Sequence, residues 1–243
     1  MTPKVKKVVG IGLIIAGVLA LITPLTPGSW LIFIGLGFLG VRLTLWGWLK
    51  RWRRRLWIKI FKRMAVHITY FVHGSTLDNE KGISSGWSDP SLSKLGVAQS
   101  RRLKELIAQK KFDAVFCSDL KRAQETAHLV FEGSMPIQTD QRLRECNYGK
   151  YNGQPSTIVE QMQTNNIYQR FPEGESYEDV KKRVGEFLRF LRKNYAGKSV
   201  VVVSHKAPQL SLDVLIKSKT WEQAFADDWR HTASWQPGWD YVV

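Results

Sequence analysis

The sequence predicts an α/β fold: a three-layer sandwich with a mainly parallel sheet flanked by helices, preceded by an N-terminal two-helix transmembrane hairpin. Three observations lead there. From residue 64 onward, short β-branched and aromatic runs alternate with segments of helical apolar spacing. From Val8 to Val41 there is no charged residue and no histidine. The formal net charge of +15 is unevenly placed, because residues 1–63 carry 12 Lys and Arg and no acidic residue, leaving 24 basic and 21 acidic residues for the rest. A basic hydrophobic segment, 1–63, therefore joins a nearly neutral domain, 64–243. Two cysteines in 243 residues exclude a disulfide-framed miniprotein, and 44% hydrophobic against 23% charged residues excludes wholesale disorder.

Within the first segment the apolar run is broken by Pro24 and Pro27, which a continuous helix would not accept. Two helices, about 6–22 and 30–49, joined by a Pro-Gly turn fit the pattern and the length a bilayer needs. Seven glycines between Gly10 and Gly40 would let them approach closely. Lys4, Lys6 and Lys7 before the first helix and Lys50 to Arg55 after the second orient both ends toward the cytoplasm. Trp46, Trp48, Trp52 and Trp57 among these cations suit the headgroup layer, and anionic lipid is the expected counter-charge. The alternative is that 51–55 does no more than stop transfer and set topology. The stretch Pro24-Leu25-Thr26-Pro27-Gly28-Ser29-Trp30 resembles the small bacterial membrane proteins named for a Pro-Gly-Pro-Gly-Trp signature, departing from it at Thr26 and Ser29.

In the second segment, residues 67–72 (HITYFV) read as a first strand and 92–108 as a helix with Ser93 as its N-cap. Residues 112–117 give a second strand and 121–130 a second helix. Residues 176–195 form a strongly amphipathic helix through Val180, Val184, Phe187, Leu188 and Leu191. Residues 199–203 (SVVVV) read as a strand buried on both faces, followed by a helix over 208–216. The aromatic C-terminal stretch, with Glu222, Asp227, Asp228 and Asp240 against Arg230, reads as a cap on the core rather than a base-stacking surface. Nucleic acid is not an expected partner of so balanced a domain.

Functional groups in such sheets gather at the carboxyl ends of strands. Of five histidines, His73 and His205 each stand directly after a hydrophobic strand, and arginines are at hand, which points to an anion-binding site. Around them lie recurrent blocks. They are Val72-His73-Gly74-Ser75-Thr76 with Asn79, Gly82, Gly86, Asp89, Leu92, Gly96 and Gln99; Cys117 to Ala123 with Thr126-Ala127; Leu143-Arg144-Glu145 with Gly149 and Asn152-Gly153; Pro172 to Ser176; and Val203-Ser204-His205. In order and spacing these blocks resemble the histidine phosphatase superfamily, which includes phosphoglycerate mutases, over about residues 68–215.

The resemblance implies that His73 attacks phosphorus and becomes a phosphohistidine, dividing one displacement into two easier ones. It implies that Arg122 and His205 clamp the phosphoryl oxygens, that Glu145 is the proton donor, and that Gly74, Thr76, Asn79 and Gly86 belong to the substrate-binding set. No metal or other cofactor is expected. Two departures stand out. Val72 occupies the position where the family usually has arginine, and Lys206 replaces the usual glycine after the second histidine. Lys206 either reaches the phosphate and partly replaces the missing charge, or points to solvent. The resulting expectation is a phosphomonoesterase on the cytoplasmic side of the cell membrane, taking a phosphorylated small molecule. The alternative is a catalytically weak or inactive relative that binds a phosphorylated partner there.

Overall fold

The computed structural model describes residues 2–20, 52–53, 64–232 and 238–243, and the chain divides into two compact units, Met1–Phe61 and Lys62–Val243. In the first unit helix α1 spans Pro3–Ala20. Lys4, Lys6 and Lys7 fall inside the first turns of α1. No helix among the described residues is long and apolar enough to cross a membrane. The helix expected over 6–22 overlaps α1. The second hairpin helix over 30–49, the turn between the two, and the basic run apart from Trp52 and Arg53 lie outside the described residues.

The second unit opens with β1 (His67–Val72), α2 (Leu77–Glu80), β2 (Ile83–Ser84) and α3 (Lys94–Leu106). There follow β3 (Ala114–Cys117), α4 (Lys121–Phe131), β4 (Ile137–Thr139), β5 (Gln154–Pro155) and α5 (Ser156–Met162). The chain continues through α6 (Tyr177–Asn194), β6 (Ser199–Ser204), α7 (Lys206–Lys217), α8 (Trp221–Ala226) and β7 (Trp239–Val242). Five strands form one sheet in the order β4-β3-β6-β1-β7. The first four are mutually parallel, and β7 runs antiparallel along β1.

The central strand β6 shows why the sheet has two covered faces. Val200 and Val202 face one side, where they meet Ile68, Tyr70 and Phe116 and the α6 residues Val184, Phe187 and Leu191. Val201 and Val203 face the other, against Phe71, Val115 and Cys117 and the α3 and α4 residues Leu103, Ala127, Val130 and Phe131. Successive side chains of a strand alternate, so an unbroken valine run needs apolar cover on both sides.

Helix ends follow local chemistry. The Ser93 and Ser176 hydroxyls accept from Gly96 N and Asp179 N to start α3 and α6. Helix α7 begins at Lys206, two residues before the expected start, because Pro208 sits in its first turn, where no N–H is required. That earlier start leaves the Lys206 and Ala207 N–H groups free to bind an acceptor. The sequence reading also omitted α2, β2, β4, β5, α5, α8 and β7, all short or irregular in pattern.

Candidate active site

The register of the sheet brings the two histidines together. Val72 of β1 pairs with Ser204 of β6, so the residues that follow, His73 and His205, leave the sheet side by side. Their ring centroids are 5.0 Å apart, and His73 N donates to Ser204 O at 3.0 Å.

His73 is held in one tautomer. Its Nδ1 lies 2.7 Å from Gly74 O, and since a carbonyl can only accept, Nδ1 carries the proton and Nε2 the lone pair. Arg122 Nε donates to that lone pair at 3.1 Å. Burial first, and the Arg122 charge second, lower His73 to about 3, so the imidazole is neutral and nucleophilic at ordinary pH. His205 is fully buried, and neither ring nitrogen has a hydrogen-bond partner among the described residues. Burial, then Arg122 and His73, hold it well below the ordinary histidine value.

Arg122 enters from the first turn of α4 and is buried. Its Nη1 and Nη2 donate to Ser88 O at 2.9 Å and Gly86 O at 2.8 Å, so the 86–88 loop fixes the guanidinium. Gly86 permits this at φ +53°, where a Cβ would stand 1.8 Å from Asn152 Oδ1. Thr126 Oγ1, one turn on, accepts from Gly74 N at 2.9 Å and ties the α4 start to the His73 loop. On its other side that loop lies against α3 without any side chain between them: a Cβ on Gly96 would meet Ser75 O at 2.0 Å.

Glu145 arrives from an irregular segment held by Ser204 Oγ, which donates to Leu143 O at 2.6 Å. Its Oε1 accepts from Cys146 N at 2.9 Å and Ala207 N at 3.0 Å, and its Oε2 from Lys206 N at 3.1 Å. The carboxylate therefore caps α7, whose N-terminal partial positive charge suits an anion.

A polar cleft of about 50 Å³ opens onto His73, Asn79, Gly86, Arg122, Glu145 and Lys206. Gly74 and Thr76 do not line it. Gly74 shapes the loop through Thr126, and Thr76 is the buried cap of α2, its hydroxyl and amide exchanging hydrogen bonds with Asn79. Val72 is partly buried against the main core. Lys206 is not directed to solvent: its side chain is only 8% exposed. Burial first, then Arg230, lowers its ammonium, opposed by Asp228, Glu145 and Glu160.

The cleft also draws on residues that the sequence did not mark as site residues, two of them, Arg230 and Asp228, read there as part of a cap on the core. Arg230 lines it from beyond α8, and the buried Asp228 links it to Lys206. Tyr148, Ile83, Ser84, Ser85 and Ser156 complete the walls. Chain position offered no sign of Arg230, which a non-local chain return brings in. Among the described residues no group of three His, Cys, Asp or Glu side chains could hold a metal ion. A larger concavity of about 550 Å³, with Leu92, Val97, Lys121, Glu125, His128 and Leu129 in its lining, shares no residue with the cleft.

Comparison with known proteins agrees with this geometry. The adenosylcobalamin/alpha-ribazole phosphatase of Escherichia coli (strain K12) is 30% identical over 143 residues, covering 55% of this chain and 70% of that protein. The 2,3-bisphosphoglycerate-dependent phosphoglycerate mutase of Sinorhizobium fredii is 32% identical over 170 residues, or 62% of this chain and 79% of the relative. The solved structure of the alpha-ribazole phosphatase from Shigella flexneri superposes with a TM-score of 0.56 at 26% identity, covering 66% of this chain and 84% of that one. The family match spans residues 70–235, taking in both strand-end histidines and the loops between them, and the chain belongs to the histidine phosphatase superfamily (branch 1).

Proposed function

We propose that the chain is a membrane-tethered phosphatase that hydrolyses phosphomonoesters through a phosphohistidine on His73. The observation that carries this is the His73 tautomer, with Nδ1–H fixed on Gly74 O and the Nε2 lone pair facing a cleft that holds Arg122. A phosphoryl group entering there displaces the Arg122 Nε contact and receives the Nε2 electron pair. As the P–N bond forms, the P–O bond to the leaving group breaks. The departing alkoxide takes a proton from Glu145, which enters this step as the carboxylic acid and leaves it as the carboxylate that caps α7. Oε2 accepts one N–H and Oε1 two, so Oε2 is the oxygen with room for that proton. Water then attacks phosphorus and returns a proton to Glu145, and orthophosphate leaves with the His73 lone pair restored.

The E. coli and Shigella relatives bear phosphatase names and the Sinorhizobium relative a mutase name; two phosphatase names among the three support the hydrolytic reading. Tethering rests on the uncharged run 8–41 and its cationic flanks, and those flanks support a phosphatase domain on the cytoplasmic side. The second reading, a weak or inactive phosphate-binding relative, rests on apolar Val72 beside the nucleophile.

Turnover of an aryl phosphate by the full-length chain decides between them. With His73→Ala the rate falls by about 10³ or more if His73 is the nucleophile. Activity unchanged by that substitution would sink the covalent mechanism, and a wild type that binds phosphate without turnover would favour the second reading.

A further inference from the structure

The Lys206 ammonium is built into the cleft and is only partly matched by the protein, through an ion pair with Asp228. It lines the same small space as His73 and Arg122, it is nearly inaccessible, and its Nζ makes no hydrogen bond among the described residues. Its nearest counter-charge, Asp228 Oδ2, is 3.4 Å away, longer than a charged hydrogen bond. Asp228 is already committed: Arg230 Nη2 donates to it at 2.8 Å, and Arg230 Nε and N add bonds of 3.1 to 3.2 Å. Arg230 is matched a second time by Glu160 at 2.8 Å. Lys206 is the cation with the weaker share of Asp228. A buried ammonium that shares its carboxylate with an arginine and makes no hydrogen bond among the described residues is under-compensated, and an anion entering beside it is favourable.

Two neighbours make that anion a phosphoryl group. Both nitrogens of His205, the residue before Lys206, are buried and unpartnered beside His73. Arg122 spends Nε, Nη1 and Nη2 bonds on His73, Ser88 and Gly86, which leaves it two of its five N–H donors. A phosphoryl dianion has more acceptor sites than these supply.

We propose that Lys206 is the second cationic ligand of the bound phosphoryl group, and that Asp228, held by Arg230, is the positioning residue that keeps its ammonium in the cleft. The placement follows from the sheet. Val72 pairs with Ser204, so a cation two residues beyond Ser204 stands at the strand end where Val72 offers none. This assignment rests on the phosphatase reading for its substrate, yet phosphate binding tests it without turnover.

The experiment is calorimetric titration of the full-length chain with inorganic phosphate, with KM and kcat for an aryl phosphate measured in parallel. Lys206→Met keeps the length of the side chain and removes the charge, and an unchanged melting temperature shows that the fold holds. We expect phosphate affinity to fall about tenfold or more in Lys206→Met, and Lys206→Arg to recover most of it. Asp228→Asn should raise KM more than it lowers kcat. Phosphate binding by Lys206→Met as tight as by wild type would overturn the proposal, even where turnover depends on His73. Weakened binding would uphold it even if no turnover were seen.

Discussion

His73 and His205 are both kept neutral by burial, and both feel the Arg122 charge. An unfolded chain would protonate them near pH 6.5. Between that pH and about 3 for His73, the unfolded state therefore binds more protons than the folded one. Stability consequently falls as the solution is acidified through that window and is fully retained above it. Urea midpoints should decline from pH 7 to pH 4, and His205→Gln should flatten the decline, since one of the two histidines no longer titrates. An equal slope in wild type and variant would show that His205 is not held neutral. The same neutrality leaves the His73 lone pair available at ordinary pH without deprotonation. The two cysteines take no comparable part, for both are free and buried and Cys117 is pushed up to about 12 by burial and Asp119.

At the scale of elements, α6 does more than cover the sheet. Its Arg183 donates to the carbonyls of Arg142, Arg144 and Glu145 and pairs with Glu175 through two nitrogens. Its side chain is 14% exposed, so these acceptors have little water to fall back on. The blocks 143–153 and 172–176, which look like site motifs in the sequence, are largely this support. Glu175 accepts from Arg183, and Gly174 lies where a Cβ would stand 2.3 Å from Asn147 O. Arg183→Ala should destabilise the domain by about 3 kcal/mol in urea denaturation, with kcat lowered as the Glu145 segment loosens. Arg183→Lys should recover only part, because one ammonium cannot span a carboxylate and three carbonyls. A loss below about 0.5 kcal/mol, the range of an ordinary surface change, would refute the clamp.

Across the whole molecule, the +15 charge is two separate quantities, +12 over residues 1–63 and +3 over the remainder. The first belongs with lipid in the proposed reading, and the second leaves the phosphatase domain nearly neutral. Residues 62–243 form a compact unit with their own core. The full chain should therefore sediment with vesicles containing anionic lipid, while residues 64–243 remain in the supernatant and keep the same kcat/KM for an aryl phosphate. A full chain that stays soluble without detergent would remove the tether from the proposal.

Much was legible in the linear chain because the signals are local. The valine run of β6, the amphipathic stripe of α6 and the serine caps each report on a few neighbouring residues, and the order of motifs marks His73, Arg122, Glu145 and His205. The short strands β4 and β7 were missed because three or four residues carry no period, and the early start of α7 because Pro208 looked like its boundary. Tertiary structure alone decided the rest. Sheet register set the two histidines 5.0 Å apart, α4 brought Arg122 Nε onto His73 Nε2, and a C-terminal segment brought Asp228 and Arg230 beside Lys206. The sequence by itself determined which chemical groups the chain carries and which elements present them. Which of those groups meet, and in what charge balance, depends on contacts between residues far apart in the chain, whose free energy appears only once the sheet is assembled and water is excluded.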